Sequence, residues 1–139
     1  MNKTRLIKGV SLIPVAEHVD HRGCLTFFEH PATLPFVIKR MFTLTDCPES
    51  SARAEHSNPA DQVIIAAAGA VHVDLDNGQE TKEYRLAKTS GSALWVRAGV
   101  WLRLRRFEPQ TVVIVLSPIE YNASAQFDTP QPNLIVDPE

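Results

Sequence analysis

The sequence is short of most features that mark specialised proteins. Charge of neither sign dominates: fourteen Lys and Arg face sixteen Asp and Glu, a formal charge of −2. That leaves no electrostatic footprint for nucleic acid and no like-charged tail. No apolar run is long enough to cross a bilayer, and Met1-Asn2-Lys3-Thr4-Arg5 leads into no apolar stretch of the secretory kind. The expectation is a cytoplasmic protein without a nucleic-acid or membrane partner. Cysteine is scarce: Cys24 and Cys47 lack the spacing of a zinc knuckle or redox pair and read as reduced, structural thiols. The six glycines form no loop entering a helix, which excludes a Walker or Rossmann phosphate cradle. A Gly-x-Ser-x-Gly nucleophile elbow is also missing. There is no repeat and no linker, so the 139 residues, 44% of them hydrophobic, read as a single domain over 1–139.

What is present is a series of short apolar segments. Val71, Val73 and Leu75 alternate with His72, Asp74 and Asp76, the period of a half-buried strand. Asn77-Gly78 then signals a tight hairpin of the type that needs two positive φ angles, with Thr81 to Leu86 as the returning strand. Gln62 to Ala68 and Thr111 to Leu116 are continuous apolar runs that read as buried strands. In the segment from Val100 to Phe107, Val100, Leu102 and Leu104 share one face, and Trp101, Arg103 and Arg105 share the other. Further strands are expected at Arg5 to Pro14, Cys24 to Glu29, Val37 to Thr43 and Ser92 to Val96. No segment carries a helical stripe. The pattern predicts an all-β fold, a sandwich or small antiparallel β-barrel.

Five histidines are the natural candidates for chemistry near neutral pH. His18 and His21 lie in a polar stretch, His30 precedes a proline, and His72 is on the polar face of a strand. His56 stands out because it sits where a polar loop feeds the buried run at Gln62. Ligands for a metal do not converge: Glu55 and His56 would point to opposite faces of a strand, and Asn58 is a weak ligand. No metal is therefore expected. Arginines that suit phosphate are available at Arg22, Arg40, Arg53, Arg97, Arg103 and Arg105, with Lys39 beside them.

Six stretches, in order, resemble one family. They are Asp20-His21-Arg22-Gly23-Cys24-Leu25; Pro35-Phe36-Val37-Ile38-Lys39-Arg40-Met41-Phe42; and Arg53-Ala54-Glu55-His56-Ser57-Asn58 with Asp61-Gln62-Val63. Val73-Asp74-Leu75-Asp76-Asn77-Gly78, Ala98-Gly99-Val100-Trp101, and Val115-Leu116-Ser117 with Tyr121 complete the set. Together they are similar to the WxcM-like cupins, nucleotide-sugar 3,4-ketoisomerases acting on dTDP-4-keto-6-deoxyglucose in the making of deoxy sugars for surface glycans. The resemblance implies a cupin jelly roll, a homodimer that exchanges N-terminal strands, and neither metal nor other cofactor. It also implies His56 and Tyr121 as catalytic residues, with Arg22, Lys39, Arg40, Arg53 and Asn58 binding the nucleotide sugar.

Three departures accompany the resemblance. The family motif Arg-Gly-x-His-Ala-His ends here on Asn58, the family's Trp-His pair is Trp101-Leu102, and the tyrosine-rich tail is replaced by Asn122-Ala123-Ser124-Ala125. Asn58 cannot take a carbon-bound proton, which leaves His56 as the matched base, with Tyr121 or Asp61 as helpers. Two readings follow: an isomerase with altered or lost activity, or a non-catalytic cupin that binds a nucleotide sugar or supports a partner enzyme. The strand phase puts Leu102 inward, beside a polar cavity wall built from Arg22, Arg40, His56 and Asn58.

Overall fold

A computed structural model describes residues 1–138. Twelve strands run through it: β1 (Thr4–Ile7), β2 (Val10–Pro14), β3 (Ala16–Asp20), β4 (Gly23–Phe27), β5 (Arg40–Leu44) and β6 (Ala52–His56), then β7 (Gln62–Ala68), β8 (Ala70–Asp76), β9 (Thr81–Ala87), β10 (Ser92–Val96), β11 (Trp101–Arg105) and β12 (Val112–Ser117). They form a six-stranded sheet ordered β1-β2-β10-β7-β12-β5, a four-stranded sheet ordered β6-β11-β8-β9, and a separate β3–β4 hairpin, with every pairing antiparallel. This is the all-β, double-sheet architecture that the alternating pattern predicts, and it agrees with the cupin fold that the resemblance implies.

The two large sheets face each other across one core. Val71, Val73 and Leu75 from β8 and Leu102 and Leu104 from β11 meet Val10, Ile64, Leu94, Val113 and Val115 from the other sheet, all nearly inaccessible. A second cluster lies on the outer side of the six-stranded sheet. There Ile13, Val63, Ala93 and Leu116 are covered by Leu34, Phe28 and Phe36 from the segment before β5. Strand β7 is therefore covered on both faces, which is why its sequence is a continuous apolar run with no alternation.

Three expected elements differ in detail. The stretch from Arg5 to Pro14 is two strands, because Gly9 turns the chain at φ +90° under the side chains of Val100 and Ile135. The strand expected from Val37 begins at Arg40. The Asn77-Gly78 hairpin has a four-residue loop, and Gly78 alone takes a positive φ. Asn77 instead turns its side chain inward: its Oδ1 accepts from the amides of Gln79 and Glu80, and its Nδ2 donates to the Lys8 carbonyl. Those bonds tie the loop to the β1–β2 turn and replace the turn geometry that the dipeptide predicted.

The C-terminal segment crosses back over the N-terminal hairpin. Asp137, with its side chain 3% exposed, accepts from the Gly9 amide at 2.7 Å, Arg5 Nε at 3.0 Å and Arg97 Nη2 at 3.2 Å. Burial opposes its charge, but the amide and both guanidinium groups outweigh that, and its carboxyl lies below the usual range.

Candidate functional site

An open cavity of about 480 Å³ lies between the two sheets, at the side where β5 and β6 form their edges. Its walls are apolar at the bottom, from Ile64, Leu102, Leu104 and Val115, and polar toward the mouth, from Arg40, Arg53, His56, Gln62, Tyr121 and Gln126. That combination suits a ligand with both an apolar body and anchoring polar groups.

The sequence Arg53-Ala54-Glu55-His56 positions the imidazole by a kink. Across the β6–β11 ladder, Leu102 pairs with His56 and Arg103 pairs with Ala54, so Glu55 has no counterpart and forms a bulge. Ala54 and Glu55 take positive φ values of 69° and 62° to accommodate it. The bulge turns His56 toward the cavity beside the inward Leu102 and Leu104, the strand phase the sequence predicts. Nδ1 of His56 is buried and has no hydrogen-bond partner. Burial first, and the charge of Arg40 second, hold its pKa below the usual histidine value. The ring is thus a neutral base at pH 7.

Arg40 sits at the mouth between two rings, 4.7 Å from the centroid of Phe42 and 5.1 Å from that of Tyr121. Tyr121 is 64% exposed and forms a rim more than a wall. Among the described residues neither Arg40 nor Arg53 makes an ion pair, so two uncompensated guanidinium groups flank the cavity. They can take an anion such as a diphosphate.

The structure gathers Arg40, Arg53, His56 and Tyr121 at this cavity and puts Asn58 in an adjoining side pocket that shares Arg40, Gln62 and Gln126 with it. Arg22 and Lys39 are elsewhere. Arg22 is at the tip of the β3–β4 hairpin, paired with Asp20 at 2.6 Å, and Lys39 is exposed just before β5. Asp61 is occupied: its carboxylate accepts from Trp95 Nε1 at 3.0 Å and the Ala98 amide at 2.8 Å, which fixes the β10–β11 turn. It is not a helper to His56. His72, on the polar face of β8 as the alternation predicts, is partly covered. It lies on the outer sheet face 3.4 Å from Asp74 and 3.6 Å from Glu83, donor atoms that together lie within 4.8 Å. Arg103 and Arg105 already occupy the Asp74 carboxylate at 2.9 and 2.6 Å, and Arg105 also reaches Glu83. The group is an ion-pair network, with its charge balanced by guanidinium.

Sequence reasoning missed Gln62 and Gln126 as lining residues. Gln62 was legible from its period-two relation to Ile64, whereas Gln126 follows the divergent tail and had no local signal.

A double-sheet β fold with one histidine, two arginines outside any ion pair among the described residues, and a tyrosine at its open side defines a protein that takes a small anionic ligand. The chain belongs to the WxcM-like, C-terminal (FdtA) family, whose model matches residues 8–129. It is 30% identical over 105 residues, 75% of each chain, to the TDP-4-oxo-6-deoxy-alpha-D-glucose-3,4-oxoisomerase of Aneurinibacillus thermoaerophilus. It also resembles two structures of the 3,4-ketoisomerase QdtA from Thermoanaerobacterium thermosaccharolyticum, each with a TM-score of 0.83 over 89% of this chain and 90% of that one. One, 28% identical, is a double mutant in complex with TDP. The other, 26% identical, is a histidine-to-asparagine mutant in complex with TDP-4-keto-6-deoxyglucose.

Proposed function

We propose that the cavity binds a TDP-linked 4-keto-6-deoxyhexose, and that this 3,4-ketoisomerase-like cupin binds its ligand far better than it turns it over. The observation that carries the reading is the content of the cavity: two guanidinium groups suited to an anion remain at Arg40 and Arg53, but among the described residues His56 is the only imidazole there, and Leu102 faces it. Isomerisation between C3 and C4 removes a proton from C3, passes through an enediol, and returns a proton to C4. His56, neutral and unprotonated, is suited to the first step. Asn58 and Leu102 offer no second base, and Tyr121 at the rim is the remaining acid. Contacts to the nucleotide give affinity without stabilising the enediol, so binding survives the loss of chemistry.

Residues 1–139 act as a single cupin domain in a cytoplasmic homodimer that exchanges N-terminal strands, within deoxy-sugar assembly for surface glycans. The β3–β4 hairpin supports the dimer: among the described residues it has no sheet neighbour, and it leaves Val19, Leu25 and Phe27 exposed. A lone two-stranded hairpin is marginal in water and gains from a covering partner. Arg22 and Lys39 serve the nucleotide in that assembly.

Calorimetric titration with TDP, together with an NMR assay for the 3-keto product from TDP-4-keto-6-deoxyglucose, tests the reading. The expected result is TDP binding with turnover below about 1 s⁻¹. Turnover on the order of 1–10³ s⁻¹ would overturn the binder reading. Absence of both binding and product would overturn the nucleotide-sugar assignment. Light scattering checks the dimer, and a monomer at micromolar concentration would sink it.

A further inference from the structure

Beside the main cavity, and continuous with it through Arg40, Gln62 and Gln126, lies a side pocket of about 20 Å³. That is room for one water-sized group and no more. Four carboxamides line it, from Asn58, Gln62, Asn122 and Gln126, with Arg40 and Glu120 also in its wall. Asn122 is engaged, its Oδ1 accepting from the Ser124 amide and hydroxyl. Asn58 and Gln62 are each 8% exposed, and among the described residues the side chains of Asn58, Gln62 and Gln126 make no hydrogen bond. Their polar atoms open onto the pocket, so they are free to meet a ligand's polar atom there.

The three side chains come from different parts of the fold. Gln62 is the first residue of the doubly covered strand β7, Asn58 follows β6, and Gln126 descends from the C-terminal segment that pairs at Phe127 with Ser57. The Ser57–Phe127 bridge brings Asn58 and Gln126 to the same pocket, and the alternation of β7 turns Gln62 to the side of Ile64. Carboxamides are uncharged and each offers donors and an acceptor. Such a group reads a hydroxyl or carbonyl oxygen; the guanidinium groups at the mouth are suited to the anion instead.

We propose that Asn58, Gln62 and Gln126 form a specificity site that takes a single hydroxyl or carbonyl oxygen of the sugar ring, with Gln62 as its fixed floor. This rests on the nucleotide-sugar reading above and deepens it. The carboxamides read the sugar while Arg53 and Arg40 read the diphosphate, with Arg40 bordering both spaces. A sugar lacking the matching oxygen would leave the amides unpaired in the complex, which is the basis of strong discrimination against deoxy analogues.

The test uses two probes on the full chain. Titration of Gln62→Leu and Gln126→Ala with TDP-4-keto-6-deoxyglucose and with TDP alone should show the sugar nucleotide weakened about tenfold by either substitution. TDP affinity should stay within about twofold for both, since TDP has no sugar to read. Gln126→Ala changes a half-buried residue in an irregular segment and keeps the test valid should Gln62→Leu fold poorly. Equal weakening of both ligands, or of neither, overturns the proposal. The second probe is a free 6-deoxyhexose at high concentration, followed by the side-chain amide resonances of wild-type protein. Shifts confined to Asn58, Gln62 and Gln126 are expected. Those shifts without TDP binding would leave the sugar site standing and refute only the nucleotide assignment. No shift and no sugar-dependent binding would overturn the site itself.

Discussion

His56 and Leu102 face each other directly across the β6–β11 ladder, an imidazole opposite an isobutyl group at the wall of one cavity. The pair is where the ladder changes register, so the same bulge that aims His56 inward also sets what it faces.

Restoring the two missing imidazoles should restore chemistry. In the variant Leu102→His with Asn58→His, turnover of TDP-4-keto-6-deoxyglucose is expected to rise by about 10²–10⁴-fold, the usual worth of a positioned acid–base group. The polar ring replacing a leucine that is 1% exposed should lower stability by about 1–3 kcal/mol. The NMR assay and a urea titration read the two effects, and an unchanged turnover would reject His56 as the proton carrier.

His56 should titrate below the ordinary histidine value of 6.5 in the folded protein, because burial and then Arg40 disfavour its charged form. The sign for stability follows. As pH falls through 6.5 the unfolded chain takes up the proton first, so stability declines from there downward and is unaffected above it. Arg40→Gln removes the smaller of the two causes and should move the midpoint upward while leaving it below 6.5. Carbon-detected NMR of the imidazole follows both.

Ala54 occupies a left-handed conformation, φ 69°, at the position where the family motif has glycine. An alanine there is strained by about 1 kcal/mol relative to glycine. Ala54→Gly is therefore expected to stabilise the protein by about that amount, with the bulge and ligand affinity preserved. Denaturant unfolding checks it; a loss of stability would show that the unfolded-chain entropy of glycine outweighs the strain.

Asp137→Asn keeps an acceptor for the Gly9 amide but removes the charge opposite Arg97 and Arg5. A buried guanidinium left without its partner should destabilise the chain by about 3 kcal/mol. In the wild type, the Asp137 carboxyl has its pKa held low, so its contribution is fully present above the ordinary carboxylate value of 3.8 and is lost as pH falls through the lower folded value. Acid unfolding of the variant should show a correspondingly shallower dependence in that range.

The fold was legible because its strands obey simple periods. Val71, Val73 and Leu75 alternate for a half-covered strand, and Gln62 to Ala68 does not alternate because Phe28, Leu34 and Phe36 cover its outer face. The cavity was legible in part. The inward phase of Leu102 follows from Val100 and Leu104, and His56 from its place before the buried run. The placement of Arg22 and of Asp61 was not legible, since it depends on long-range packing: Arg22 on a hairpin detached from both sheets, and Asp61 on a tryptophan 34 residues away. Asn77 shows the same limit at short range, where a bond to the Lys8 carbonyl overrides the local turn preference.

The position of β7 has a consequence for how the site moves. This strand is paired on both edges and covered on both faces, whereas β5 and β6, which carry Arg40 and His56, each terminate a sheet. Amide exchange should be slowest along Ile64 and Val63 and orders of magnitude faster along β5 and β6. The cavity then has one stiff wall and two compliant ones. A ligand entering it is measured against the rigid Gln62 side and gripped by edges that can close by bending, without disturbing the core behind them.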